Sequence, residues 1–147
     1  NNNSPSYIPY NDRFIMGGNG IPYGNVLRGY DDNRVGPLTS TGNPIGGNTL
    51  VKFSTEFRVP FAENPVVYGM VFAEMGNVWS STDLMERLSL PRSGPLDLKR
   101  SVGVGIRFFM PMIGMLGFDF ARGFDRVDNN GKLKPEWKTT LTFGQQF

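Results

Sequence analysis

The side chains that most often make and break bonds are missing from this sequence. Its 147 residues include no Cys and no His, which removes thiolate and imidazole nucleophiles, Ser-His-Asp triads, the usual zinc ligands and any disulfide framework. Acids and bases remain, 13 Asp and Glu against 15 Lys and Arg, with a net charge of +2. They are scattered, with no basic run to follow a phosphate backbone, so nucleic acid is not expected as a partner. Gly103-Val104-Gly105 lacks the third glycine and the following helix of a dinucleotide loop, and its glycines read as space inside a strand. Asp125 to Gly131 lacks the alternating acids and closing Glu of a calcium loop and reads as a hairpin turn. Neither a cofactor nor a metal is expected, no residue is assigned a catalytic role, and Asp31-Asp32 reads as a solvated turn.

One set of charges is more pointed. If the short connection after Glu63 pairs Glu56 with Phe72 and Ser54 with Glu74, the two acids are diagonal neighbours on one face, roughly 7 Å apart. Two such carboxylates repel, and a guanidinium between them removes the repulsion with up to five donors, which Lys cannot match. Arg58 and Lys52, on the same strand and face, could neutralise Glu56 and leave Arg28 solvated. The alternative is that Arg28 comes in from the preceding loop. Residue types alone favour the first arrangement, because surface charge pairs are common and weak.

The elements that must position these charges are strands. With 19 Gly, 11 Pro and 13% aromatic residues, the composition argues against both a helical protein and disorder. Val51, Phe53, Thr55, Phe57, Val59 and Phe61 alternate with Lys52, Ser54, Glu56 and Arg58, a period of two with one apolar and one charged face. The same alternation recurs at Val102 to Met110, at Leu116 to Ala121 and at Trp137 to Phe147. Val66 to Val78 is noisier, since Tyr68, Met70 and Phe72 would share a face with Glu74. Residues 1–50 are rich in Asn, Gly and Pro without periodicity, a loop long enough that it should pack against something or carry function.

Connection lengths alternate as well. Ala62 to Val66 and Met112 to Gly114 are short; Ser80 to Leu98 and Gly123 to Glu136, with its Asn130-Gly131 turn, are long. Transmembrane β-barrels have this asymmetry, and strands of about ten residues match a tilted membrane strand. A soluble β-sandwich would instead cover its apolar face with a second sheet. No apolar stretch is long enough for a membrane helix. Five strands cannot close a barrel, since the smallest have about eight. The fold class expected is therefore all-β, a transmembrane antiparallel β-barrel of which this chain supplies the C-terminal part, and the Asn-rich start, which lacks the marks of a signal peptide, reads as the middle of a longer chain.

Leu27-Arg28-Gly29-Tyr30 resembles the loop motif of the BamA family of outer-membrane protein insertases. In the order that family shows, there follow Gly46-Gly47-Asn48 leading into a strand with Glu56-Phe57, then Glu74-Met75-Gly76-Asn77-Val78-Trp79, Arg100-Ser101-Val102-Gly103-Val104-Gly105, a turn at Pro111 and a terminal Phe147. The second acid is often Asp in the family, and the turn after Pro111 reads Met112-Ile113-Gly114-Met115 in place of the commoner Leu-Gly-Pro-Leu. The resemblance implies a barrel of about 16 strands, with the last five in residues 51–147 and a lumenal loop in residues 1–50. It also implies a lumenal anchor of Arg28, Gly29 and Tyr30 with Glu56 and Glu74, which tips the choice between the two arrangements toward the lumenal contact.

The same resemblance implies an outer-membrane location in a Gram-negative cell. The work implied is insertion of unfolded client outer-membrane proteins into lipid, with accessory assembly lipoproteins, without a nucleotide or a bond-making step. The seam would lie at the C-terminal strand: Trp137, Thr139, Leu141, Phe143, Gly144 and Phe147, with Gly144 weakening local pairing. The rival functions are a two-partner-secretion pore of the same superfamily, a passive porin and a soluble β-sandwich binding module. Three structural expectations follow from the patterning. Phe53, Phe57, Val104, Ile106, Phe118, Phe120, Leu141 and Phe143 should face lipid, and Lys52, Glu56, Arg107 and Asp119 the lumen. Arg107 should lie directly opposite Asp119, with Phe109 opposite Gly117. Trp79 and Trp137, at strand ends, should sit in aromatic girdles.

Overall fold

The computed structural model describes residues 8–20, 24–80, 94, 97–112, 114–127 and 132–143. Five strands form one antiparallel sheet in sequence order: β1 (Thr49–Glu63), β2 (Val66–Trp79), β3 (Lys99–Met110), β4 (Gly114–Gly123) and β5 (Trp137–Phe143). Each pairs only with its chain neighbours, the meander that short turns alternating with long connections impose. The Asn130-Gly131 turn and the seam residues Gly144 and Phe147 lie outside the described residues.

The period of two separates the faces. Phe53, Phe57, Val104, Ile106, Phe118, Phe120, Leu141 and Phe143 are all exposed on one side, Phe57 at 70%. Glu74, Ser101, Asp119, Ala121 and Thr140 are buried on the other. A soluble monomer rarely shows so continuous an apolar face, and among the described residues no second sheet covers it. At the end of the sheet carrying the long connections, Trp137 stacks on Phe120 with ring centroids 4.6 Å apart, and Trp79 donates through Nε1 to the Gly94 carbonyl at 3.0 Å.

The β1/β2 ladder pairs Glu56 with Phe72 and Ser54 with Glu74, as the short connection requires. Its register shifts between Pro60 and Ala62, where Phe61 is the extra residue of a bulge and lays its ring over the position of Gly69. The β3/β4 ladder differs from expectation by one step of the pleat repeat. Phe109 faces Met115, Arg107 faces Gly117, and Gly105 faces Asp119. The direct pairing of Arg107 with Asp119 is therefore wrong. Pro111, which has no N–H to give a ladder, falls in the turn, and Gly114 closes that turn at φ +90° directly opposite Met110, so the hairpin is centred one residue earlier.

The loop before β1 is packed on the polar face. Short bridges join Phe14 to Gly47, Met16 to Val35 and Gly18 to Leu27, and Met16, Leu27, Tyr30 and Val35 form a core with Val78, packed against Leu50. The segment that lacks any period in sequence is held by this core and by the contacts described next.

Candidate functional site

The inner face of β1, β2 and β4 presents Glu56, Glu74 and Asp119 toward one point, and Arg28 of the loop occupies it. Its Nη2 lies 2.7 Å from Glu56 Oε1 and 2.6 Å from Glu74 Oε1. Nε donates to Glu74 Oε1 at 3.1 Å, while the Arg28 backbone N–H donates to Glu74 Oε2 at 2.9 Å. Nη1 stands 3.8 Å from Asp119 Oδ1. The guanidinium plane rests 3.6 Å from the Phe72 ring centroid, a cation over a π face in a desolvated setting. Arg28 is 5% exposed and Glu74 4%.

Each acid has a second cation. Glu56 accepts from Arg58 Nη2 at 2.6 Å, Lys52 Nζ lies 3.5 Å from Glu74, and Ser54 Oγ donates to Glu74 at 3.2 Å. Arg107 forks onto both oxygens of Asp119 at 2.8 and 2.7 Å, reaching it diagonally because of the register. Arg58 thus binds Glu56 as residue types alone favour, but Lys52 turns to Glu74 and Arg28 is not solvated. The strand glycines make the space. A Cβ on Gly117 would come within 2.6 Å of Arg107 Cδ, and one on Gly103 or Gly105 would strike Phe72 or Asp119.

Gly29 and Tyr30 have separate tasks. Gly29 adopts φ +87°, and a Cβ there would lie 2.9 Å from the Gly123 nitrogen and 3.0 Å from the Arg122 carbonyl carbon, so only glycine lets the loop backbone lie against the end of β4. The Tyr30 hydroxyl donates to the Arg100 carbonyl at 2.7 Å and accepts from the Asp125 N–H at 3.3 Å. Burial pushes its pKa up, so it donates as a neutral phenol.

Asp31 is not the solvated turn residue its neighbourhood in sequence suggests. It accepts from Arg126 Nε at 3.0 Å and pairs with Lys138 on β5; Asp32 accepts from the Asn19 N–H at 2.7 Å. Burial would raise the Asp31 carboxyl, but Lys138 and Arg126 outweigh it and hold it below its ordinary value. Sequence reading also misses Asp119 as a third acid beside Arg28. Its place on the charged face of β4 was the available signal. Of the residues named for a seam, Trp137, Thr139, Leu141 and Phe143 lie on β5, the edge strand of this sheet.

An antiparallel wall with one apolar face, strongly asymmetric connections and a loop folded onto the opposite charged face is the pattern of a transmembrane β-barrel wall. The chain belongs to the Omp85 superfamily, whose domain model matches residues 2–147. Proteins of that superfamily are outer-membrane β-barrels and include protein insertases and secretion pores.

Proposed function

We propose that the chain is the C-terminal part of a BamA-type insertase, which folds client outer-membrane proteins into lipid without a nucleotide or a bond-making step. The observation that carries the reading is the Arg28 contact with Glu56 and Glu74, made by the loop motif and the two strand acids that the BamA resemblance singles out. The physical need is plain. A strand cannot enter hydrocarbon with unpaired backbone groups, each costing several kcal/mol, so a template edge has to bond it as it inserts. The edge of β5, at Trp137, Thr139, Leu141 and Phe143 with Gly144 and Phe147 beyond, would be that template, opening against the first strand of a barrel of about 16 strands. Unfolded clients, accessory assembly lipoproteins and outer-membrane lipid would be its partners.

The test is reconstitution of the full-length protein into lipid vesicles with a denatured client barrel. An insertase leaves the client folded in the vesicle membrane faster than vesicles alone; a secretion pore passes it across unfolded. Arg28→Ala should slow insertion, whereas Arg34→Ala, outside the motif, should not. Client folding at the rate of empty vesicles would refute the proposal.

A further inference from the structure

The lipid-facing side of the wall carries two arginines near the end with the long connections, the outer end of a membrane barrel. The loop site uses the charge of neither. Arg122 continues the outward row of Phe118 and Phe120 on β4, and Arg100 precedes that of Val102 and Val104 on β3. Arg122 stands opposite Val102, while Arg100 lies one pair further out, accepting at its carbonyl from the Phe124 N–H. The two cations are therefore diagonal neighbours, about 7 Å apart. Both β3 and β4 have their sheet neighbours on either side within this chain, so whatever strands lie beyond β1 and β5 do not alter what this face meets.

Height and charge single the pair out. From Gly114 up to Arg122, β4 climbs about 26 Å at about 3.3 Å per residue, or about 20 Å along the membrane normal at a tilt of about 40°. The outward residues passed on the way, Leu116, Phe118 and Phe120, are all apolar. Arg122 thus stands where an apolar band of about 25 Å gives way to headgroups. Arg100 forks onto Asp125, with Nε at 3.1 Å and Nη2 at 2.9 Å. Arg122 pairs with no acid among the described residues, and its Nε is buried without a hydrogen-bond partner. One acid therefore answers two cations at the rim of an apolar face.

We propose that Arg122 and Arg100 form a binding site for the phosphate of an anionic lipid in the outer leaflet. The phosphate accepts from the Nη groups of Arg122 and from Arg100 Nη1, which Asp125 does not engage. A phosphate monoester, with its several acceptor oxygens and up to two negative charges, bridges two guanidinium groups at this spacing. The acyl chains then run inward over Val102, Val104 and Phe120, which are exposed just below. Free phosphate would make the ionic contacts and leave those apolar rows uncovered; a lipid supplies both parts. The site depends on the barrel wall and not on whether the barrel inserts clients or secretes them.

The experiment uses the full-length protein in phosphatidylcholine vesicles, with a bimane label on a cysteine replacing Ala73, which lies in the same cross-strand row as Val102 and Arg122. The readout is quenching by a small fraction of dibrominated lipid. Dibrominated phosphatidic acid should quench about fivefold more effectively than dibrominated phosphatidylcholine, the preference that a basic group gives at a membrane surface. A label at Met110, at the opposite end of the same face, should show no preference. Arg122→Gln should bring the Ala73 ratio close to one, Arg122→Lys should keep part of it, and Asp125→Asn, which releases Arg100, should raise it. Millimolar inorganic phosphate should leave the ratio unchanged. Equal quenching by the two lipids in the parent, or a preference that survives Arg122→Gln, overturns the site. Loss of the preference in inorganic phosphate overturns a lipid as its occupant. Client insertion is read separately, so each of these failures leaves the insertase reading standing.

Discussion

Replacing Arg28 by Ala would strip a buried site of the cation shared by three acids. Glu74 is 4% exposed and Asp119 1%, and both would lose that partner in a pocket sized for a guanidinium. Breaking a buried ion pair by removing one partner costs about 3–5 kcal/mol. Lys52, Arg58 and Arg107 remain beside Glu74, Glu56 and Asp119, which places the loss at the low end, about 3 kcal/mol, or about two orders of magnitude in the docking equilibrium of the loop. Hydrogen exchange of the full-length protein in lipid nanodiscs reads that equilibrium. Amides around Arg28 should exchange about a hundredfold faster in Arg28→Ala, while Arg34→Ala should match the parent. Glu74→Gln added to Arg28→Ala should recover part of the protection, because one orphaned charge has gone. Arg28→Lys should fall between, since an ammonium cannot span Glu56 and Glu74 as the guanidinium does. Parental protection in Arg28→Ala, or full client assembly by it, would refute the reasoning.

Three further outcomes are expected. Val104→Arg, in the middle of the apolar face, should lower folding stability in lipid by about 2–4 kcal/mol, measured by urea titration in vesicles, whereas Ser54→Arg on the inner face should show no depth-dependent penalty. Cysteines at Phe109 and Met115, which face each other, should form a disulfide readily, and cysteines at Phe109 and Gly117 should not; the reverse would restore the displaced register. The loop should also resist acid. Lys138 and Arg126 outweigh burial at Asp31, and the hydrogen bond from Arg100 depresses Asp125, both below the ordinary 3.8. A carboxyl with a depressed folded pKa stabilises above its unfolded value and loses that contribution as pH falls through the folded one, so protease resistance of the loop should hold constant from about pH 8 to pH 5 and fail only below about pH 4.

The strands and their faces were readable because a period of two over six or more residues leaves few alternatives, and a short connection fixes the β1/β2 register that makes Glu56 and Glu74 diagonal neighbours. The apparent noise in β2 had a cause that patterning hides. Tyr68, Met70 and Phe72 share a face with Glu74 because part of that face lies under the loop, and Phe72 is the bed of the Arg28 guanidinium. The β3/β4 register was not readable, since whether Gly114 belongs to the turn or opens the strand depends on its φ. Nor were the Asp31 contacts. Arg126 and Lys138 are 95 and 107 residues away, and only the placing of β4 and β5 brings them near.

The three acids around Arg28 come from β1, β2 and β4, two hairpins that are separated in sequence by the long β2–β3 connection. Its binding place is therefore absent until both hairpins have formed and β3 has joined them. A lone β1–β2 hairpin offers Glu56, Glu74 and the Phe72 ring over water, where a guanidinium gains little; only the assembled sheet, with β3 and β4 bringing Asp119 beside them, makes the site dry enough to hold it. Loop closure of this span is slow and entropically costly before those contacts exist. Docking of Arg28 thus follows the joining of β1 through β4, and an arginine seated among its three acids reports that those strands are already in register.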